Sequence, residues 1–453
     1  MDGKKSPIEL QPFGVIILEN IQRKVTYPLA AIQSYWKPEP SVSSSTEGPQ
    51  TATTTTATNP SEKKAYVVRK ESGTLVDTVV TTVDGQKFDT KEIEEDKDLQ
   101  EIDDWSFPIF AFSKRFSKTI LSRMTYTAFR RADLMSIFKI SPIKFFNFFH
   151  QLEQGYWEIP YHNRIHAADV LHGCFYLSVH PVRPVIGSPP SPDSVIPPPP
   201  PIAQAISASM TNLEILALYT AAAMHDYDHP GRTNAFLVQA EDKKAILYND
   251  RSVLENHHAA ESWRLLFRYL VLEYILATDL KQHFEIIVTF NEKVADMDLS
   301  NESDRLLLAK LMIKMADINS PTKPYGLHRQ WTTRICEEFY EQGDEEMRRG
   351  MSITPYMDRN DAQVAKLQDS FIAHVVSPLA VAMNEAGLLP ILPGLMESEL
   401  MINLKHNHQK WLNEIDALAP PTTNGNHSDR IEEESTASDS PEPSKHSPSL
   451  DSD

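Results

Sequence analysis

The sequence predicts an all-α fold, one compact many-helix domain over residues 105–418 of the 453-residue chain. Three observations carry this expectation. Glycine is scarce, with 15 residues in the chain, about half the usual share of roughly 7%, which disfavours a turn-rich all-β fold. Helix-start signatures stand before long apolar runs. Thr211-Asn-Leu-Glu214 fits a capping box ahead of the run to Met224, and Asn301-Glu-Ser-Asp304 precedes Leu306–Ala316. Finally, the helical pattern is broken only once, at 181–201, where ten of 21 residues are proline. Such a run cannot continue a helix and is expected to form an extended, solvated loop, a spacer or a ligand for a proline-recognition partner.

The two ends read differently. Residues 41–60 hold 11 Ser or Thr, and the acidic stretch 91–104 lacks an apolar period. Residues 1–100 are therefore expected to be mostly disordered, since so little apolar surface cannot offset the entropy of ordering. Short apolar islands, Gly14–Leu18 and Tyr66–Val68, can dock locally. Residues 419–453 hold eight acids and two bases and read as an acidic disordered tail. Its Ser-Pro pairs at Ser440 and Ser447 suit a kinase, although a plain solvated tail explains them as well.

Charge and cysteine content narrow the function classes. Lys plus Arg is 44 and Asp plus Glu is 62, a net charge of −18. Phosphate backbones and anionic membranes are repelled at long range by such a chain, so nucleic acid is not an expected partner. Small phosphate esters escape that exclusion, because a metal ion can hold them locally. Two cysteines, Cys174 and Cys336, are too few for a disulfide framework and suit a reducing, cytosolic setting. No apolar stretch approaches the roughly 18–20 residues that span a bilayer, so no transmembrane segment is expected; peripheral association stays open.

The chemistry-bearing residues are clustered. Nine of the 16 histidines lie between 162 and 283. In Tyr161-His-Asn-Arg-Ile-His166 a helix would carry His162 and His166 on one face, at i and i+4. A zinc protease would have Glu after the first His, where Asn163 stands. Taken alone, such a pair is more often ordinary surface or core. In His225-Asp-Tyr-Asp-His-Pro-Gly231 an apolar helix runs straight into Asp226, a carboxylate at the negative end of the helix dipole. Asp226 can be a simple turn cap, but a metal cation would make its charge favourable. Asp317 repeats the anomaly after Leu306–Ala316. His, His, Asp and Asp together suit Zn²⁺, with Fe²⁺ and Mn²⁺ less well matched. Glu255, in Leu254-Glu-Asn-His-His258, can hold metal-bound water or simply open an exposed helix. Ala277-Thr-Asp279 closes another apolar run.

These motifs, with Ala316-Asp-Ile318, stand in the order seen in class I 3′,5′-cyclic-nucleotide phosphodiesterases, which the chain resembles over about 105–418. Ala221–Leu237, Tyr248–Ala260 and the presence of an insert between the first two metal motifs resemble the cGMP-inhibited subfamily most. The resemblance implies an all-helical (HD-type) catalytic domain with two metals at the floor of a pocket. His166, His225, Asp226 and Asp317 would hold the tight metal, Zn²⁺. Asp226 would bridge to a second, Mg²⁺ or Mn²⁺, whose water shell His229, Glu255 and Thr278 would hold. A hydroxide shared by the metals would attack phosphorus in line, and His162 would protonate the leaving 3′-oxygen as general acid. Gln368 would read the purine, Phe371 and Ile335 would clamp it, and Tyr161 would close the pocket beside His162. The implied reaction turns a cyclic nucleotide, cAMP in preference to cGMP, into a 5′-monophosphate and so ends its signal; a homodimer is compatible with it.

One departure stands out. Between His258 and Thr278 the chain lacks about 18–20 residues found in such relatives, a gap too large for ordinary loop trimming. Trp263–Leu276 is expected to fuse two helices that should turn back, displacing Thr278 or uncovering core surface. The shortened 259–277 segment keeps two alternatives alongside the enzyme reading. One is an impaired splice form acting as scaffold or nucleotide-binding regulator; the other is a different HD-type nucleotide phosphohydrolase.

Overall fold

The computed structural model describes residues 78–186, 203–262 and 268–418. Helices dominate them, with only two short hairpin ladders beside. The framework is the Arg164–Val179 helix, buried on nearly every side, as expected of a helix without a polar face. It packs against the helices Ile120–Arg131, Asn212–Met224 and Glu302–Asp317. Gly173 sets one of these contacts: a Cβ there would stand 2.8 Å from Ala316 Cβ. Gly173 follows His166 by two helical turns, so the close approach brings the end of the Glu302–Asp317 helix to the face that carries His166.

Both predicted helix starts are formed. Thr211 and Glu214 complete a reciprocal capping box, and Glu214 also pairs with buried Arg305 at 3.0 Å, joining that cap to the Glu302–Asp317 helix. Asn301 accepts from Ser303 N at 3.0 Å and caps the latter helix.

The expectation of disorder before residue 100 fails for residues 78–100. Strands Val79–Thr81 and Lys87–Asp89 pair antiparallel, with Val80 opposite Phe88. Gly85 turns the hairpin at φ +88°, a conformation in which other residues are strained. Asp89 and Asp96 then cap the short helices Thr90–Glu95 and Lys97–Gln100. Phe88, Ile93 and Leu99 are fully buried, and Phe88 stacks on Phe146 at 4.2 Å between centroids. These apolar residues lie five and six positions apart among charged neighbours, so no local period announces them; the helix Pro142–Gln154 supplies the surface that buries Phe88. Residues 1–77 and 419–453, with their expected disorder, lie outside the described residues.

The proline-rich insert is pinned where it leaves the domain. Pro181–Val182 pairs with Gln204–Ala205, and Val185 N donates to Ala386 O at 2.8 Å. Residues 187–202 lie outside the described residues. The expected fusion of helices after His258 falls at residues 263–267, and the flanking helices Val253–Ser262 and Arg268–Ala277 pack on each other. The connection 263–267 is not among the described residues. Tyr269, just past it, is exposed. Among the described residues no helix is long and apolar enough to cross a membrane.

Candidate metal centre and nucleotide cleft

Three chain segments bring the four expected donors together. His166 extends from the first turn of the Arg164–Val179 helix, His225 and Asp226 follow the end of Asn212–Met224, and Asp317 ends Glu302–Asp317. His166 Nε2 lies 3.3 Å from His225 Nε2, 3.1 Å from Asp317 Oδ1 and 3.4 Å from Asp226 Oδ2. His225 Nε2 lies 3.2 Å from Asp226 Oδ2 and 3.3 Å from Asp317 Oδ1. Donors about 2.0–2.2 Å from a common cation stand roughly 3.0–3.4 Å from one another, and these distances match. His225 Nδ1 donates to Ala222 O at 2.9 Å, so Nε2 presents a lone pair to the centre. Two facing imidazole nitrogens and two carboxylates in a buried site require a cation or added protons. Burial opposes charge on His225, yet Asp226 and Asp317 hold its pKa well above the ordinary value. The donor set therefore fits a metal ion, and its chemistry suits Zn²⁺-like borderline cations.

Asp226 faces a second group. His258 Nε2 lies 3.7 Å from Asp226 Oδ1 and is buried without a hydrogen-bond partner, while its Nδ1 donates to Tyr227 O at 2.6 Å. Asp226, His229 and His258 each bring a nitrogen or carboxylate oxygen to one place, with these atoms within 4.8 Å of one another. His229 Nδ1 accepts from Gly231 N at 3.0 Å, which leaves Nε2–H as its donor; burial and the charge of His162 keep the ring neutral. Asn234 Nδ2 grips both Glu255 oxygens, at 3.2 and 3.0 Å, and burial with nearby Asp279 pushes the Glu255 carboxyl up to about 7. Thr278 donates to Ile275 O at 2.7 Å, keeping its oxygen free to accept. His229, Glu255 and Thr278 all line one cavity of about 450 Å³, so Thr278 reaches the cavity with the segment shortened. A hard, water-carrying cation suits this oxygen-rich side.

His162 is positioned differently from the sequence expectation. The helix begins at Arg164, because Asn163 is extended and its Oδ1 accepts from Ile165 N at 2.8 Å. His162 thus precedes the helix and does not share a face with His166, although their rings lie 5.7 Å apart. Glu338, from the Tyr325–Arg348 helix, fixes it. One carboxylate oxygen accepts from the backbone N–H of Tyr161 and His162 at 3.0 and 3.1 Å, and the other accepts from His162 Nδ1. Nε2 remains for the cavity. Burial disfavours the imidazolium, but Glu338, with Asp226 and Asp317, overcomes it and raises the pKa to about 9. The His162 ring stacks on His229 at 4.0 Å.

The expected base-binding residues Tyr161, Ile335, Gln368 and Phe371 line the same cavity. Gln368 and Phe371 occupy the helix Val364–Phe371, which passes directly into a π-helical turn, Ile372–Val376, a feature found often at functional sites. Glu338 and His258 received no role from the sequence. One signal was present for Glu338: Trp331, Ile335, Glu338 and Gln342 share a helix face, so an acid and an amide interrupt an apolar stripe. For His258 the signal was only its place in the Leu254–His258 motif.

An all-helical domain whose helix ends converge two histidines and two aspartates on one point, at the floor of a cleft, is of the metal-dependent hydrolase class. The sequence profile of the 3′5′-cyclic nucleotide phosphodiesterase family matches residues 161–397, and the chain belongs to that family. It is 64% identical to the probable 3′,5′-cyclic phosphodiesterase pde-3 of Caenorhabditis elegans over 453 residues, 94% of this chain and 66% of that protein. It is 46% identical to the cGMP-inhibited 3′,5′-cyclic phosphodiesterase 3A of Mus musculus over 341 residues, 65% of this chain. The Homo sapiens protein of the same name is also 46% identical over 341 residues. The chain spans 30% of the length of either mammalian relative.

Proposed function

We propose that the chain hydrolyses the 3′-phosphoester bond of 3′,5′-cyclic nucleotides, cAMP in preference to cGMP, to 5′-monophosphates in the cytosol. The observation that carries this reading is the four-donor centre, whose Asp226 and Asp317 line a cavity that also receives His162, held by Glu338. The size of that cavity, about 450 Å³, suits a small ligand. The family and the names of its relatives support a cyclic nucleotide as substrate.

His166, His225, Asp226 and Asp317 would hold Zn²⁺; Asp226, with the shell of His229, Glu255 and Thr278, would hold Mg²⁺ or Mn²⁺. When bound, the cations neutralise the phosphate oxygens and activate water as the nucleophile. The protein's own residues do the rest. His162, held by Glu338 on Nδ1, gives its Nε2 proton to the departing 3′-oxygen, an alkoxide otherwise too basic to leave. Glu338 binds the backbone of Tyr161 and His162 as well, so the acid keeps its orientation while its charge changes. Gln368 offers an amide to the purine edge, and Phe371 and Ile335 sandwich its faces.

Purified chain assayed with cAMP and cGMP, with and without chelator, tests the reading. Turnover that chelation abolishes is expected, and nucleoside mono- and triphosphates should be inert. No turnover with Mg²⁺ or Mn²⁺ present would favour the scaffold reading, and hydrolysis of the non-cyclic nucleotides would favour another phosphohydrolase. Kinase or proline-recognition partners would act on segments outside the described residues.

A further inference from the structure

A buried lysine bonds the turn that carries Thr278 and takes no part in the chemistry just described. Lys314 sits one turn before Asp317 on the Glu302–Asp317 helix and is 2% exposed. Its Nζ donates to Ala277 O at 2.7 Å and to Asp279 O at 3.3 Å. These carbonyls flank Thr278. The same turn is tied from another side, where Ser252 Oγ donates to Asp279 Oδ2 at 2.6 Å. Thr278, Asp279 and Glu255 line the cavity together.

We propose that Lys314 is a positioning residue for the second cation: by clamping both carbonyls around Thr278, it fastens the second-cation turn to the helix that ends in the tight-centre ligand Asp317. The inference rests on the two-cation reading above and goes beyond it. A lysine suits the task because one ammonium carries three donors and reaches two carbonyls on a neighbouring helix end. Its positive charge also lies among Glu255, Asp279 and Asp317, which oppose the lowering that burial imposes. Without the clamp the turn would keep its bond to Ser252, its helix-end bonds and the 280–282 turn that Asp279 caps, but no bond to the Glu302–Asp317 helix through Lys314. Loss of such an outer support typically weakens metal binding about tenfold or more.

The test uses the 453-residue chain carrying Lys314→Met or Lys314→Arg. Mn²⁺ is titrated into protein with the tight centre filled, and free Mn²⁺ is read by electron paramagnetic resonance. Hydrogen–deuterium exchange is followed over 275–282. Lys314→Met should bind Mn²⁺ about tenfold more weakly, with faster exchange at Thr278 and Asp279 and unchanged tight-site metal content. Lys314→Arg, which keeps the donors, should restore most of the affinity. Unchanged Mn²⁺ affinity and exchange in Lys314→Met overturns the proposal. Should Lys314→Met fail to fold, Ser252→Ala loosens the same turn more gently. It should weaken Mn²⁺ binding in the same direction, and unchanged affinity there also overturns the proposal. Wild-type protein that binds a single cation per chain would overturn the two-cation reading itself, an outcome distinct from equal binding by wild type and variant.

Discussion

Glu338 holds His162 at three points: its carboxylate accepts from the imidazole Nδ1 and from the backbone amides of Tyr161 and His162. Backbone and side chain of the proposed acid are therefore oriented by one buried group, 176 residues away in sequence. The pair also sets the protonation state. A pKa raised from 6.5 to about 9 keeps His162 protonated at neutral pH, and this charge is lost as pH rises through about 9. The pair's contribution to stability is full between 4.5 and 6.5, is lost on the alkaline side as pH rises through about 9, and is lost on the acid side as Glu338, held below 4.5 by His162, takes up a proton. Glu338→Gln should pull the alkaline limb of the pH–rate profile down toward 6.5 and lower kcat by roughly tenfold to a hundredfold. An unmoved limb in the kcat/KM profile would remove Glu338 from this role.

The four donors and His162 should separate by metal content. Asp226→Ala and Asp317→Ala are expected to lose bound metal, whereas His162→Ala retains it and loses turnover by about 10²- to 10⁴-fold. Elemental analysis of the purified variants decides this; equal occupancy in all three contradicts the assignment. Cation loading should also release protons, because Asp226 and Asp317 hold His225 protonated in the cation-free centre. Titrating Zn²⁺ into chelated protein in weak buffer measures that release.

The base pocket should act on binding more than on chemistry. Phe371→Ala removes a stacking face for the purine and should raise KM by roughly three- to tenfold, with metal content unchanged. Gln368→Ala should do the same and narrow the difference between cAMP and cGMP. Steady-state kinetics on both substrates reads the outcome; a fall in kcat at constant KM would count against base recognition.

The N-terminal hairpin should matter for stability. Phe88 is fully buried against Phe146, so Phe88→Ala is expected to cost about 3–5 kcal/mol, measured by chemical denaturation. A loss below about 1 kcal/mol would mean that this segment is not part of the cooperative core.

Several features are legible in the sequence. Thr211, Glu214 and Asn301 announced their helices because a cap is a local bond between residues three or fewer apart. His225, Asp226 and Asp317 are conspicuous because each places an imidazole or a carboxylate where an apolar helix ends. His162 was misread as helical because Asn163 competes for the helix start through its own side chain. The hairpin before residue 100 was missed because Phe88, Ile93 and Leu99 find their apolar surroundings in distant helices.

By itself, then, the sequence determined the helical class, the caps and the family. Only the tertiary structure decided that His166 and Asp317 meet at 3.1 Å, that Glu338 governs His162, and that Lys314 grips the Thr278 turn. The reason is range. Propensity, capping and charge pattern act over a few residues along the chain. A metal centre or a buried ion pair depends on where packed helices bring their ends, and contacts such as Gly173 against Ala316 fix that position.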